Sequence, residues 1–276
     1  MDALPNQIFF PVSFHELFST WNRFEHAVIY AGGTDLIRKQ GSNIISLPKV
    51  IICLDKMEEL HRITRTEHYL EIGAMVKLNR IARLGKIVPV ILRKCLENIA
   101  GVQLRNIATI GGNICSPHLY DLPAPLTALD AQYELRNAGN IRWVSASRFH
   151  STDEINVIKE QELLTRIRLP LHPWDYSINK KYYTNDIDNS EIMIFLAKAQ
   201  KNILTDIRVV YKTNTILRNK NSEDILKGKI LPLHRKTAVD FIENWKNFLE
   251  NRADVGEFSK NALLNNIEEN VFILSE

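Results

Sequence analysis

The chain has 276 residues, 45% of them hydrophobic and 24% charged, with a formal net charge of +3. That length suits two domains of roughly 100 to 200 residues rather than one small core, and the composition is that of a soluble globular protein. So small a positive excess, with no Lys/Arg block interleaved with aromatics, argues against nucleic-acid binding, and the apolar runs fall well short of the ~20 residues a membrane span needs.

Taken in order, Ser13-Phe14-His15-Glu16 carries a capping-box pattern that opens a helix. Residues 27–30 read as a short buried strand feeding a glycine turn, and 34–40 as a short helix, a geometry in which backbone N–H groups favour anions. Strands are expected at 50–54 and 69–73, and helices at 75–84 and 89–100, the second with Ile91, Leu92, Cys95, Leu96 and Ile99 on one face and Pro89 near its start. A second glycine run follows, then extended segments at 126–135 and 142–144, and a segment over 162–170 stopped by Pro170. Residues 171–190, rich in Pro, Trp, Tyr, Asn and Asp, read as a linker or an exposed approach to a second domain. Strands near 192–199 and 203–211 precede a helical last third, where Ala238, Phe241, Ile242, Trp245, Phe248 and Leu249 recur at helical spacing.

Cys53, Cys95 and Cys115 form no C-x-x-C, so they cannot alone build a zinc site or an iron–sulfur cluster. Their odd number and the lack of a signal-peptide pattern point to a reducing cytoplasm. None of the eight histidines pair at metal-ligand spacing, so no metal site is expected.

The chemistry concentrates in two glycine runs, Tyr30-Ala31-Gly32-Gly33-Thr34-Asp35-Leu36 and Ala108-Thr109-Ile110-Gly111-Gly112-Asn113-Ile114. Paired glycines admit positive φ and let a ligand reach the main chain. Successive N–H groups in such a turn make an anion-binding concavity. Read singly, Gly-Gly-Thr-Asp is as readily an ordinary tight turn. The G-x-G-x-x-G and G-x-x-x-x-G-K-[ST] patterns are absent, which disfavours a Rossmann or P-loop site. Two separate turns suit one long ligand with two phosphates.

Together with Ile72-Gly73-Ala74, Leu104-Arg105-Asn106-Ile107 before the second glycine run, Asp121-Leu122-Pro123-Ala124-Pro125-Leu126-Thr127-Ala128-Leu129-Asp130-Ala131, and Glu162-Leu163-Leu164-Thr165 with Leu169-Pro170, these runs resemble the FAD-binding medium subunits of molybdenum hydroxylases. That group includes xanthine dehydrogenase and carbon monoxide dehydrogenase flavoproteins. The resemblance spans roughly residues 1–170 and, more weakly, 171–276. It implies an α+β chain: a two-subdomain FAD-binding fold of the vanillyl-alcohol-oxidase/PCMH type over 1–170, then a small domain of a three-stranded sheet and helices over 171–276.

Position by position, the resemblance makes Ile29, Tyr30, Ala31, Gly32, Gly33, Thr34, Asp35 and Leu36 the first pyrophosphate loop, with the N–H groups of 32–35 and the Thr34 hydroxyl as donors. It has Ile99, Ala100, Leu104 and Ala108 line the flavin, and makes Thr109, Gly112 and Asn113 the second phosphate loop. Asp121 matches a carboxylate at the adenosine end, Leu164 an apolar contact to the ring system, and Lys181 a lysine near the isoalloxazine. Read from the residues alone, Asp121 is also an N-cap or turn residue, Ile99, Leu104 and Leu164 are plain core, and Lys181 is a solvated surface lysine. Two stretches depart from the family pattern: 113–121 is about one residue short, and Lys180-Lys181-Tyr182-Tyr183-Thr184-Asn185 replaces a Lys followed by Arg and Ala.

The resemblance implies FAD as cofactor and a cytoplasmic oxidoreductase subunit with no catalytic side chain of its own. It implies partners as well: a [2Fe-2S] small subunit, a molybdopterin-containing large subunit, and NAD or another electron acceptor. An assembly subunit with weak FAD binding and a stand-alone flavin oxidase are the rival expectations.

Overall fold

A computed structural model describes residues 6–40, 47–151, 157–183 and 190–275. The chain opens with a three-stranded parallel sheet in the order β1-β3-β2, made of β1 (Gln7–Phe9), β2 (Val28–Tyr30) and β3 (Val50–Cys53). It is crossed by α1 (Phe14–Arg23) and α2 (Thr34–Gln40). Ser13 caps α1 by accepting from the Glu16 amide at 3.2 Å, and the Glu16 carboxylate reaches back to the Val12 amide at 2.9 Å. Central β3 is buried at Ile51 and Ile52, whereas β2 is an edge strand with Val28 43% exposed. The strand expected at 27–30 is therefore present at Val28–Tyr30, but burial holds only for Ala27, just before it.

The second subdomain is a five-stranded antiparallel sheet in the order β4-β5-β8-β6-β7. Its strands are β4 (Ile63–Arg65), β5 (Tyr69–Gly73), β6 (Gln132–Arg136), β7 (Ile141–Ser145) and β8 (Leu163–Pro170). Between β5 and β6 run α3 (Leu78–Ala82), α4 (Val90–Glu97), α5 (Val102–Arg105), α6 (Ile110–Cys115) and α7 (Pro123–Ala128), and α8 (Ala146–Phe149) follows β7. Residues 126–128, expected to be extended, are helical: Pro123 sits in the first turn, where no N–H is needed, and the Leu126 amide closes onto the Leu122 carbonyl. Helix α3 starts only at Leu78, because 74–78 instead pair with the 108–111 backbone.

A four-stranded antiparallel sheet, β12-β11-β10-β9, completes the chain. Three strands are long, β9 (Tyr176–Tyr183), β10 (Ser190–Gln200) and β11 (Ile203–Lys212), and β12 (Ile216–Arg218) is a three-residue edge. Helices α9 (Lys220–Leu226), α10 (Arg235–Glu250) and α11 (Glu257–Ile273) cover one face. Much of the expected linker at 171–190 is β9, pairing with β10 from Tyr176 opposite Ala197 to Tyr183 opposite Ser190; residues 184–189 lie outside the described residues. As an edge strand half open to solvent, β9 keeps the polar composition that reads as a linker.

Strand β10 is apolar on both faces because each meets a different core. Ile192, Ile194 and Leu196 pack with the second subdomain, while Met193, Phe195 and Ala197 pack with Phe241, Trp245 and Ile267 of the helices, the two-residue alternation of a strand. Polar contacts reinforce the junction. Arg208 and Arg218 donate to the Ala128 and Thr127 carbonyls at the end of α7, at 2.8 and 3.3 Å, and both pair with Asp130. Fully buried Glu223 takes the Arg218 guanidinium at 2.9 and 3.0 Å and the Val209 amide at 3.2 Å. Burial would lower the Arg218 pKa, but Glu223 and Asp130 hold it above its ordinary value. Glu223→Ala leaves that guanidinium buried with half its partners, so it should cost about 3–5 kcal/mol in urea unfolding, while Asp224→Ala, whose side chain is 67% exposed, should shift the same transition by less than about 0.5 kcal/mol.

Candidate cofactor-binding site

The first glycine run turns the chain from β2 into α2. Gly33 holds φ at +71°, a left-handed value that side chains disfavour, and the Tyr30 ring folds over it, so a Cβ there would lie 2.0 Å from the phenol oxygen. Gly32 is needed for close approach instead: a Cβ would lie 2.4 Å from the Ile107 carbonyl oxygen and 3.3 Å from Ala108 Cα. The first loop thus rests, backbone on backbone, against the segment leading into the second run. The Ile37 amide donates to the Gly33 carbonyl at 3.2 Å, whereas among the described residues the Gly32, Gly33 and Thr34 amides donate to no carbonyl. Ala31 to Leu36 are all half-buried, and Ile29 and Tyr30 lead into them from β2.

The second run is built differently. Thr109 caps α6 by accepting from the Gly112 amide at 3.0 Å, and its carbonyl takes the Asn113 amide at 3.0 Å. The Ile110 and Gly111 amides donate to Val76 and Ala74 at 3.0 and 2.9 Å. Gly111 is small because a Cβ would sit 2.8 Å from the Ala74 side chain. Its main-chain donors are therefore already engaged within the fold. The half-buried Asn113 side chain accepts from the Leu122 amide through Oδ1 at 3.2 Å, leaving its NH2 as the donor end.

The loop after α6 joins three parts of the molecule. Tyr120, which the sequence reading does not single out, donates its hydroxyl to Asp35 Oδ1 at 2.6 Å and accepts from Arg38 Nε at 3.0 Å. Its neighbour Asp121 accepts from Lys181 Nζ on β9 at 2.7 Å and from the Ser190 hydroxyl at 3.1 Å. The Lys181 and Asp121 side chains are only 15% and 14% exposed, so Lys181 is no solvated surface lysine. Asp121 is no N-cap either, since Leu122 holds that position in α7. The structure thus sets side by side two residues that the resemblance assigned to different parts of the cofactor, Asp121 to the adenosine end and Lys181 to the isoalloxazine. Lys212, also unforeseen, is 2% exposed and donates to the Ser190 carbonyl at 2.6 Å. Burial lowers its pKa, with Asp121 acting against that shift.

Of the expected ring-lining residues, Leu104 is 40% exposed on α5, beside Ile107 at 51%, whereas Ile99, Ala108 and Leu164 are buried. Ala100 takes φ +42°, and Arg105 Nη1 holds that turn by donating to the Ile99 and Ala100 carbonyls at 2.9 and 2.6 Å. On β9, Asn179 Nδ2 donates to Cys95 Sγ of α4 at 3.0 Å, and α4 leads to Ile99 and Ala100. The strand that carries Lys181 thus touches the helix that leads to the expected ring-lining residues Ile99 and Ala100.

These residues fit a flavin dinucleotide: three main-chain donors for the diphosphate, without a carbonyl acceptor among the described residues; small residues for close approach; and exposed apolar side chains for a flat ring. A 440 Å³ cavity bordered by His61, Arg62 and Arg80 contains none of them. Among the described residues no three His, Cys, Asp or Glu side chains cluster to hold a metal ion, and no helix is long and apolar enough to cross a membrane.

Comparison with known proteins bears on the same residues. The model of the FAD binding domain in molybdopterin dehydrogenase matches residues 4–172. The chain is 27% identical over 241 residues to Xanthine dehydrogenase 2 of Arabidopsis thaliana, covering 79% of this chain but only 18% of that protein's length. It is 28% identical over 218 residues to the carbon monoxide dehydrogenase medium chain of Hydrogenophaga pseudoflava, covering 74% and 73% of the two chains. In fold it is similar to quinoline 2-oxidoreductase from Pseudomonas putida 86, with a TM-score of 0.77 at 20% identity over 100% of this chain and 97% of that one. With more than half its length matched, the chain belongs to the family of FAD-binding domains of molybdopterin dehydrogenases.

Proposed function

We propose that the chain holds FAD between its two glycine loops and serves as the electron-transfer subunit of a multi-subunit molybdenum-dependent hydroxylase or dehydrogenase. The observation that carries this reading is the row of amides at Gly32, Gly33 and Thr34, which donate to no carbonyl among the described residues, in a loop pressed against the second one in a domain of an FAD-binding family. Those amides and the Thr34 hydroxyl grip the diphosphate as an anion nest. Thr109, Gly112 and Asn113 border it from the other side, with the Asn113 NH2 as donor. Ile99, Ala100, Leu104, Ala108 and Leu164 form the apolar surround of the ring system, and the Asp121–Lys181 pair stands at its polar margin.

Bound FAD supplies redox chemistry that exchanges electrons singly or in pairs, while this chain supplies binding, orientation and electrostatics. No side chain acts as acid, base or nucleophile. Electrons arrive from a [2Fe-2S] small subunit fed by a molybdopterin-containing large subunit, and leave to NAD or another acceptor, in the cytoplasm.

The purified chain should show an oxidised-flavin absorption spectrum and release FAD on denaturation; a colourless chain that FAD does not stabilise would leave only the assembly role. In the holo-complex, stoichiometric reoxidation by NAD is expected, and reoxidation by one-electron acceptors alone would exclude NAD. Gly32→Val drives a side chain into the Ile107 carbonyl and parts the loops, so FAD affinity measured by titration should fall about tenfold or more. Wild-type affinity in that variant would contradict the two-loop grip.

A further inference from the structure

We propose that Tyr120 is a positioning residue that latches the first glycine loop to the second subdomain and so sets how long FAD stays bound. The inference rests on the FAD reading above. Two tethers among the described residues flank the 32–34 amides of the first loop. One tether is the backbone contact of Gly32 with Ile107 and Ala108. The other is Tyr120.

The Tyr120 hydroxyl is used in both directions. It donates to Asp35 Oδ1 at 2.6 Å, a short charge-assisted bond, and accepts from Arg38 Nε at 3.0 Å. Arg38 Nη2 closes the ring of contacts on Asp35 Oδ1 at 3.3 Å, and its guanidinium carbon lies 5.9 Å from the Tyr120 ring centroid. The His118 ring meets the same phenol edge-on, with centroids 4.9 Å apart. Asp35 and Arg38 stand on the first turns of α2, a seven-residue helix with Ile37 54% exposed. So short a helix needs tertiary anchors to hold its position. Partial burial and the bond to Asp35 raise the phenol pKa, so the hydroxyl keeps the proton it donates at neutral pH.

A ligand gripped by the 32–34 amides leaves when the loop swings away from the second subdomain. Gly32 is a contact without a side chain, so of these two tethers it is the Tyr120 end that opens by breaking hydrogen bonds. Asp121, the next residue, is fixed to Lys181 on β9, so the anchored side of the latch does not follow the loop.

The test measures FAD dissociation from the purified full chain by fluorescence recovery after dilution, with the thermal midpoint of the FAD-free chain alongside. Tyr120→Phe keeps the ring and removes the hydroxyl, and should release FAD about ten times faster with the FAD-free midpoint lowered by no more than about 4 °C. Asp35→Ala should do the same, and the double variant should be no faster than either single one, as for two halves of one interaction. Wild-type release from Tyr120→Phe, with or without a lowered midpoint, would overturn the latch, as would additive effects in the double variant. A wild-type chain that takes up no FAD would overturn the cofactor reading and the latch with it.

Discussion

Everything at this site depends on one close approach, Gly32 against the Ile107 carbonyl. The contact joins a parallel three-stranded sheet to an antiparallel five-stranded one across a gap that no Cβ fits. Because it is backbone on backbone, it sets the first loop against the segment before α6 without long side chains. The Gly33 left-handed turn then directs the chain into α2, so strand, turn and helix are set by two adjacent residues of different purpose.

The two glycine runs look alike in sequence and are physically unequal. The first keeps main-chain donors open. The second is a capped helical turn whose donors are already engaged and whose Gly111 makes room for Ala74. On the proposed reading, an anion between them would be held mainly by one loop and bordered by the other. The C-terminal sheet adds the polar end, because β10 is buried on both faces and carries β9, with Lys181, up to Asp121.

Local features were legible from the residues. The Ser13 cap, the 34–40 helix and the α10 stripe each depend on neighbours within a turn or two, and the order of the glycine motifs pointed to the family. Features set by distant partners were not. Strand β9 has an edge-strand composition that is indistinguishable from a linker until β10 lies beside it. Tyr120 reaches Asp35 across 85 positions, and Lys212 owes its burial to a sheet end the sequence does not mark. Lys181 reads as solvated because its local stretch is charged, yet its environment is decided by Asp121, 60 residues earlier.

Amide hydrogen exchange on the purified chain, with and without FAD, tests the unequal grip most directly. FAD should slow exchange strongly at residues 32–34, whose amides have no carbonyl partner among the described residues, and change it little at 110–113, whose amides are bonded already. Protection confined to 110–113, or absent from both runs, would contradict it.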